Sequence, residues 1–565
     1  MRRFDWAWLV LLGIASSAWC LMAARELSAT FDEPFYMRAG LESWRSGSNH
    51  ELMRAGTMPL PVDVQYLPIY IWEQLRGEPF DTQKECHTIL PYARATNLVF
   101  WWQLLIYGTL LARHVGGPWA GRFATLLIAT EPSLLGHACM ATTDISVTAL
   151  IFACVYHFQT GRERGWVLRW LIPGLLFGLA MSAKVSAVTF VPLILGAFEI
   201  VRVVGERRGV SPTCEPPTSG LRLDARLLTL WRATRPAQRD AWKVFFVGIL
   251  FVFAYCGSDW KPQHRWVSDA EKLPEDGRFT PALRWTTQHL AVFPNASEAF
   301  HYQFKHNVKG HDVVLMGEWH RRAVWYFFPV TLSIKLTLPV LILLAGLTIV
   351  RPRSWLTSLG LSALLLLLFS LNCRVQIGVR LVFPLLVMVL LALAGGLSQA
   401  IGNWNERSKW GLLVAIFLAS AYPAASVWPD GLRFGNELWG GTDNTYLHIS
   451  DSSYDWGQGV KELERWTEDR DLPPAWVWYY GSDPVIAVNR NRTLPLHMPN
   501  LFDVRSAEGI RPFVQGKLVA VSATILYGNP YLTPTMIHGV EFFRGQTPIG
   551  RTRTFFIYDF RDPPP

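Results

Sequence analysis

Two adjacent carboxylates near the beginning of the chain are the residues whose type and spacing most suggest chemistry. They are Asp32 and Glu33, which follow the first apolar stretch in the segment Thr30-Phe31-Asp32-Glu33-Pro34-Phe35-Tyr36. A carboxylate at this place can accept the proton of an incoming hydroxyl group, so we predict a catalytic role for both residues. The alternative is that these acids only cap a helix that opens at Pro34, because acidic residues ahead of a proline suit a helix N-terminus.

A second polar group lies between two later apolar stretches and includes His137 and Asp144. The predicted topology puts this turn on the same side of the membrane as Asp32. Acids from separate loops would then meet in an outward-facing pocket, where we predict that His137 and Asp144 bind substrate. The alternatives are that Asp144 caps the helix that follows it and that His137 is a structural histidine.

Four basic residues lie within apolar stretches or at their outer ends. They are Lys184, Lys335, Arg374 and Arg380. Such residues can neutralise a phosphate group held at the membrane interface, and an arginine can do so through two parallel hydrogen bonds. Each one alone could equally extend its charge toward lipid headgroups. Because all four fall on the predicted side of the acids, we predict that they bind substrate.

The composition indicates a membrane protein with substantial water-exposed parts. Of the 565 residues, 50% are hydrophobic and only 17% are charged, whereas soluble chains carry about a quarter charged residues. The apolar residues form long runs, which excludes disordered and collagen-like chains. The net charge of +9 comes from basic residues scattered between these runs, so we predict no nucleic-acid partner.

The apolar runs predict eleven membrane spans, since a spanning helix needs about 20 mostly apolar residues. They are 6–24, 94–114, 119–137, 143–160, 167–182, 185–204, 242–258, 325–350, 355–371, 380–400 and 410–428. With a cytoplasmic N-terminus, the inner segments hold 20 of the 53 Lys and Arg residues but only seven of the 44 acids. This bias predicts that orientation and places the C-terminus outside.

The spans divide the chain into two predicted domains. Residues 1–428 would form a membrane catalytic domain with large outer loops at 25–93 and 259–324, and residues 429–565 an extracytoplasmic α/β domain. In the second domain, helical spacing of apolar residues predicts a helix over 460–470 with Asp455 as a possible cap. Strands are predicted at 476–480, 517–526 and 554–560.

Several motifs of other protein classes are missing from the sequence. There is no Walker loop and no GxGxxG unit, which disfavours a nucleotide-driven pump and a dinucleotide oxidoreductase. The seven cysteines form no CxxC pair, and no HExxH motif occurs, so a zinc site is not expected. We predict no certain cofactor, although Glu33 and Asp144 could hold a divalent cation.

Seven short motifs follow one another in the order shown by a known family. They are Phe31-Asp32-Glu33-Pro34, 132–144, 178–187, 315–335, Ile377-Gly378-Val379-Arg380, 434–441 and 451–458. On these motifs the chain resembles the membrane glycosyltransferases of family 39, the protein O-mannosyltransferase-like group with the GT-C fold, and especially a bacterial phospholipid-carrier-dependent branch. The chain departs from the family at Arg380-Leu381, where the usual pair is Arg-Tyr, and matches it only loosely around 59–61.

The resemblance implies a polytopic α-helical membrane protein of the bacterial inner membrane. It implies a polyprenyl-phosphate-linked sugar donor, with a mannose-like hexose, that is used outside the cytoplasm. The family's first-loop aspartate, here Asp32, would be the general base, and one attack on the sugar would invert its anomeric centre. The acceptor would be a hydroxyl group of a protein or a glycolipid.

Three alternatives stay open at this point. A lipid A or cell-wall aminosugar transferase would have the same fold and a glycolipid acceptor. A transporter or flippase for a polyprenyl-linked substrate is the main alternative outside the enzymes, although the chain shows no internal repeat of the kind that transporters often have. A scaffold with a decayed enzyme fold is the third.

Overall fold

The structure is a computed structural model of the 565-residue chain. It describes residues 3–209, 223–258, 260–289, 294–488, 492–496, 506–528 and 534–561. Up to residue 428 the described chain is almost entirely helical, and a small mixed sheet follows. This agrees with the predicted α-helical membrane protein that carries an α/β domain at its C-terminal end.

The helices of the first part form a bundle together with short connecting helices. They are α1 (Arg3–Glu26), α2 (Glu33–Ser46), α3 (His50–Arg54), α4 (Leu60–Arg76), α5 (Cys86–Thr96), α6 (Leu98–Ala129), α7 (Pro132–Ala138), α8 (Asp144–Thr160), α9 (Ile172–Ala183), α10 (Ala187–Gly209), α11 (Leu223–Cys256), α12 (His264–Glu271), α13 (Thr280–His289), α14 (Pro294–Lys309), α15 (Phe327–Lys335), α16 (Leu338–Val350), α17 (Ser358–Ser370), α18 (Phe383–Ala400) and α19 (Glu406–Ser426). A two-stranded antiparallel ribbon, β1 (Val313–Leu315) with β2 (Glu318–His320), precedes α15.

Five helical segments in the described residues are long and apolar enough to cross a membrane. They are Arg3–Glu26, Cys86–Ala129, Ala187–Gly205, Val379–Ala400 and Glu406–Ser426. A sixth span is possible if α15 and α16, which meet at a bend of 113°, cross as one broken helix. All six overlap predicted spans, which confirms an integral membrane protein, whereas the number eleven stays a prediction.

Two breaks in the helices coincide with places where the sequence predicted separate spans. Within α6, Gly117 has φ +79° and is followed by Pro118, so the helix kinks between the predicted spans 94–114 and 119–137. Between α9 and α10 the chain becomes extended at Lys184. A break in a membrane helix frees backbone groups and side chains for binding, and Lys184 stands at such a break.

Helix α18 lies at the centre of the bundle. The span that contains it is 83% buried, whereas the span of α19 is only 28% buried, as expected for a helix that faces lipid. The largest set of helix contacts joins α18 to α6. Side chains at the beginning of α18 are therefore positioned by the best-packed part of the molecule.

The C-terminal part is built around a five-stranded sheet of order β4-β3-β5-β7-β6. The strands are β3 (Ala475–Trp478), β4 (Thr493–Pro495), β5 (Leu518–Ser522), β6 (Gly550–Arg551) and β7 (Phe555–Asp559), and the helices are α20 (Val460–Glu468), α21 (Val485–Val488), α22 (Arg511–Val514), α23 (Ala523–Tyr527) and α24 (Pro534–Arg544). Strand β3 pairs in parallel with β4 and β5, and β7 pairs antiparallel with β5 and β6. All residues of β5 are buried because apolar clusters cover both faces of the sheet.

One predicted strand and one predicted cap differ from the structure for a common reason. The strand expected over 517–526 ends at Ser522, and α23 begins at Ala523. Asp455 does not cap α20; its Oδ2 instead accepts a hydrogen bond from the Thr524 backbone N–H, at 3.0 Å, in the first turn of α23. A distant carboxylate thus favours a helix where the local sequence favours a strand.

Candidate functional site

The site is centred on Arg380, which lies in the 3₁₀ turn Val379–Val382 directly before α18. Gly378, with φ +136°, leads into this turn, and a Cβ atom there would stand 2.2 Å from Ser452 Oγ. The Val379 N–H donates to Ser453 Oγ at 3.0 Å. The turn therefore packs tightly against the segment 451–458 of the C-terminal part, and only glycine fits at that approach.

Arg380 brings together acids from two distant parts of the chain. Its Nη1 donates to Asp32 Oδ2 at 3.1 Å and stands 3.6 Å from Asp144 Oδ2. Lys184 Nζ donates to the other oxygen of Asp144, at 2.5 Å. Four of the eight predicted site residues thus form one cluster, which we call the Arg380 cluster: Asp32, Asp144, Lys184 and Arg380.

The side chains of the two acids do not act as helix caps. Asp32 occupies the N-cap position of α2, but its side chain makes no capping hydrogen bond. Asp144 begins α8 after the N-cap Thr143 and directs its oxygens to Lys184 and Arg380. The side chains that the sequence allowed as caps are therefore directed to cations.

The cluster is buried at Arg380 and Asp144, partly exposed at Asp32 and Lys184, and not saturated with hydrogen bonds. The side chains of Asp32 and Lys184 are 27% and 23% exposed, against 8% for Arg380 and 1% for Asp144. Arg380 Nε and Asp144 Oδ2 have no hydrogen-bond partner among the described residues. Leaving such a buried group unpaired costs about 1–3 kcal/mol, so a ligand or water that pairs with both atoms would bind favourably.

Three residues outside the eight predicted site residues complete the surroundings. The guanidinium carbon of Arg380 lies 4.1 Å from the ring centre of Trp456. Asp451 accepts a hydrogen bond from the Tyr480 hydroxyl at 2.7 Å; burial raises the pKa of Asp451, and the charge of Arg380 opposes that rise. Tyr36 is buried, and burial and the charge of Asp32 raise its pKa. The signal for Trp456 and Asp451 was the motif 451–458, and the signal for Tyr36 was its place in the segment 30–36.

His137 lies beside the cluster rather than in it. Its ring packs against Phe383 and Trp456, with ring centres 4.9 and 6.0 Å apart. The side chain is buried, and Nδ1 has no hydrogen-bond partner in the described part of the chain. Its predicted contact with substrate stays a prediction, since its ring already supports Trp456.

The other three predicted site residues have different partners. Glu33 is fully buried and bonds to Arg94 through both carboxylate oxygens, at 2.8 and 2.7 Å. Lys335 donates to the Leu432 and Phe434 carbonyl oxygens, at 2.6 Å each. Arg374 donates from its side chain to the Val308 carbonyl, at 3.2 Å. None of these contacts joins the three residues to the Arg380 cluster.

The possible divalent cation has no preformed ligand set in the described residues. They contain no group of three or more His, Cys, Asp or Glu side chains that could hold a metal ion. In the cluster, Asp32 and Asp144 are paired with Arg380 and Lys184 instead. The cation therefore stays a prediction.

Comparisons with known proteins agree with the predicted class. Residues 97–212 match the family model described as dolichyl-phosphate-mannose-protein mannosyltransferase, and this segment contains His137, Asp144 and Lys184. No curated protein matches the chain.

Solved structures resemble the chain at low identity. ArnT from Cupriavidus metallidurans bound to undecaprenyl phosphate is 12% identical over 98% of this chain and 97% of that chain, with a TM-score of 0.44. The Archaeoglobus fulgidus oligosaccharyltransferase in its apo form is 13% identical over 93% and 70%, with a TM-score of 0.43. Likeness at this level carries no argument about activity, so the class rests on the family match over residues 97–212: the chain is a membrane glycosyltransferase.

Proposed function

We propose that the chain is an inverting glycosyltransferase that moves a mannose-like hexose from a polyprenyl-phosphate carrier to an acceptor hydroxyl on the extracytoplasmic side. The observation that carries this proposal is the bridge that Arg380 forms between Asp32 and Asp144. The proposed base, a group that can stabilise phosphate and a donor with no partner in the described residues thus lie within one cluster. The family match supports a lipid-phosphate sugar as donor, because dolichyl phosphate mannose is named in that family's description.

An apolar cavity of about 970 Å³ provides space for the carrier's tail. It is lined from α10, α15, α16, α17 and α18, including Leu332, Leu344, Leu385 and Val389. Leu385 stands on α18 just after the turn that holds Arg380. A polyprenyl chain in this cavity could therefore place its phosphate at the Arg380 cluster, with Arg380 Nε as a hydrogen-bond donor.

The reaction follows from these positions. The acceptor oxygen attacks the anomeric carbon while Asp32 takes the hydroxyl proton, and the bond from that carbon to the phosphate oxygen breaks with its electron pair moving to the phosphate. The products are a glycoside of inverted configuration and the carrier phosphate. Arg380 stabilises the negative charge that grows on the leaving phosphate, where stabilisation lowers the barrier.

The two acids of the cluster have different roles. Asp144 is held by Lys184, so it stays ionised and keeps Arg380 in place. Asp32 is the acid at the exposed edge of the cluster, which is where an acceptor hydroxyl can arrive. We therefore assign the base to Asp32 alone and give Glu33 no step.

The proposed membrane topology is the one predicted from the sequence. The N-terminus would be cytoplasmic, the membrane domain would span residues 1–428, and the domain 429–565 would lie outside and cover the Arg380 cluster. The acceptor would carry a hydroxyl group and be a protein or a glycolipid. A transferase of the same fold that moves an aminosugar would use the same cluster, so the donor sugar has to be determined by assay.

The test is Asp32→Asn in the full chain, reconstituted with polyprenyl-phosphate mannose and an envelope fraction as acceptor. A missing base should lower transfer about 10²–10⁴-fold. Glu42→Gln is the matched control, because Glu42 is an exposed acid on the same helix α2. Full transfer by Asp32→Asn, with folding equal to the control, would show that Asp32 is not the base.

A further inference from the structure

A second cavity, of about 770 Å³, lies away from the Arg380 cluster and is lined by polar residues of α12, α14 and the segment that follows α14. Its cationic side chains are Arg265, Lys272, Lys305 and Lys309, whereas its acids are Asp269 and Asp312. Four histidines add polar nitrogen atoms: His264, His301, His306 and His311. A cavity with more cations than acids and several N–H donors favours an anionic ligand.

The acid at the centre of this cavity is already neutralised by the protein. Asp269 accepts hydrogen bonds from Lys305 at 2.9 Å and from His301 Nε2 at 2.8 Å, and Lys272 lies 3.4 Å away. The hydrogen bond from Lys305, with those from His301 and Lys272, lowers the pKa of Asp269 to about 2. Asp269 therefore orients the cationic side chains and leaves little negative charge to repel an anion.

A buried histidine nitrogen in the lining of the cavity has no hydrogen-bond partner in the described chain. The side chain of His301 is 6% exposed, and its Nδ1 has no hydrogen-bond partner among the residues that the structure describes. Nearby, burial lowers the pKa of His306, and the charge of Lys309 adds to that effect.

The cavity is joined to the Arg380 cluster by a short stretch of backbone. The His311 N–H donates to the Arg374 carbonyl at 3.0 Å, and the Arg374 side chain donates to the Val308 carbonyl at 3.2 Å. Six residues later the same stretch presents Arg380. Arg374, which the sequence predicted as a substrate-binding residue, thus lies on the stretch that links the two sites in sequence.

We propose that this cavity binds a phosphate group carried by the acceptor glycan and so positions the acceptor for transfer. The assignment to the acceptor rests on the proposed function; the phosphate site itself does not. Cavities of about 300–1,000 Å³ bind small ligands, so the space exceeds one phosphate and leaves room for attached sugar. Helices α12 and α14 and the segment after α14 supply charged donors, whose hydrogen bonds to a phosphate are stronger than those of neutral donors.

The test measures binding apart from catalysis, with the full chain in nanodiscs of zwitterionic lipid and glucose 1-phosphate as probe. We expect Lys272→Gln/Lys309→Gln to weaken binding of the probe at least tenfold. Lys84→Gln is the matched control, since Lys84 is an exposed lysine of the first outer loop and lies outside the cavity. Equal binding by the cavity variant and the control would overturn the proposal.

Two further arms separate the possible sources of phosphate and the two proposals. If anionic phospholipid in the nanodisc displaces the probe competitively, the occupant is a lipid headgroup and the acceptor assignment is wrong. If the lipid has no effect, the acceptor assignment is supported. Asp32→Asn should bind the probe as the unmodified chain does, so loss of transfer in that variant with intact binding supports both proposals. Transfer by Asp32→Asn with intact binding overturns the proposed base and leaves the phosphate site standing.

Discussion

Two arginines bind the two neighbouring acids of the first loop, and they do so in opposite ways. Arg94 is fully saturated: its side chain donates to Glu33 twice and to the carbonyls of Ala24, Leu27 and Ser28. Arg380 shares one nitrogen between Asp32 and Asp144, while its Nε has no partner in the described chain. The Arg94–Glu33 pair is closed to ligands, and we call it the closed pair. The Arg380 cluster retains hydrogen-bonding capacity, and we call it the open cluster.

The acids differ in the same way. Glu33 also accepts hydrogen bonds from the backbone N–H groups of Thr30 and Ala141, each within 2.9 Å. Burial alone would raise the pKa of Glu33, but Arg94 and these donors outweigh it, and the pKa is lowered. A carboxylate held so firmly in its ionised form is a poor base and a good brace between the first loop and the segment before α8. Of these two adjacent residues, Glu33 therefore stabilises the structure, and Asp32 is left for the proposed chemistry.

The largest expected effect concerns the closed pair. Arg94→Met should destabilise the chain by about 3–5 kcal/mol, because it leaves the Glu33 carboxylate buried and unpaired. Thermal unfolding of the full chain in detergent measures this. Arg38→Met, which breaks the exposed pair with Glu51, should cost no more than about 1 kcal/mol. Equal losses in the two variants would remove the contrast between the closed pair and a surface pair.

The second effect concerns the open cluster. Arg380→Lys should lower transfer about 10²–10³-fold, because lysine keeps the charge but lacks the planar fork that can reach Asp32, Asp144 and a phosphate together. Unfolding should change little by comparison with Arg94→Met. The matched control is Arg321→Lys, since Arg321 is exposed in the outer loop. A stability loss as large as that of Arg94→Met would show that Arg380 also has a mainly structural role.

The sequence predicted the meeting of Asp32, Asp144, Lys184 and Arg380 because motif order and topology place them on one side of the membrane. It could not separate Glu33 from Asp32, since the partner that distinguishes them, Arg94, is 61 residues away. The sequence also could not predict the burial of Lys335. Its hydrogen-bond acceptors are backbone carbonyls, which every residue type has. The membrane class followed from composition and long apolar runs, and the α/β domain from the spacing of apolar residues, all of which can be read from local sequence.

The third effect is a pH dependence of stability, which we expect from the buried carboxyl group of Asp455. Asp455 is fully buried and accepts from the backbone N–H groups of Gly457 and Thr524, at 3.2 and 3.0 Å, and burial raises its pKa to about 7. The folded state then binds a proton that the unfolded state releases above about pH 4. Stability should fall as pH rises from about 4 to 7, by on the order of 1 kcal/mol per pH unit.

Thermal unfolding of the full chain between pH 5 and pH 8 tests this dependence. Asp455→Asn should flatten that slope, because the amide does not titrate. Glu33, whose pKa is lowered, should act with the opposite sign and lose its contribution only in acid, as pH falls through its own lowered pKa. An unchanged slope in Asp455→Asn would show that other groups carry it.

The smallest expected effect tests how the open cluster keeps Arg380 in position without saturating it. Trp456 is buried with its ring 4.1 Å from the guanidinium carbon, so it can hold Arg380 while using none of its N–H donors. A desolvated contact of this kind is worth about 2 kcal/mol, and Trp456→Leu should therefore lower transfer about thirtyfold. Trp456→Phe keeps an aromatic face and should lose less.

Both variants shrink a buried side chain, so both should lower the unfolding temperature, and only the loss of the aromatic face should separate their transfer rates. Equal transfer by the two variants would mean that Trp456 acts by filling space, and the open cluster would then owe the position of Arg380 to its acids alone.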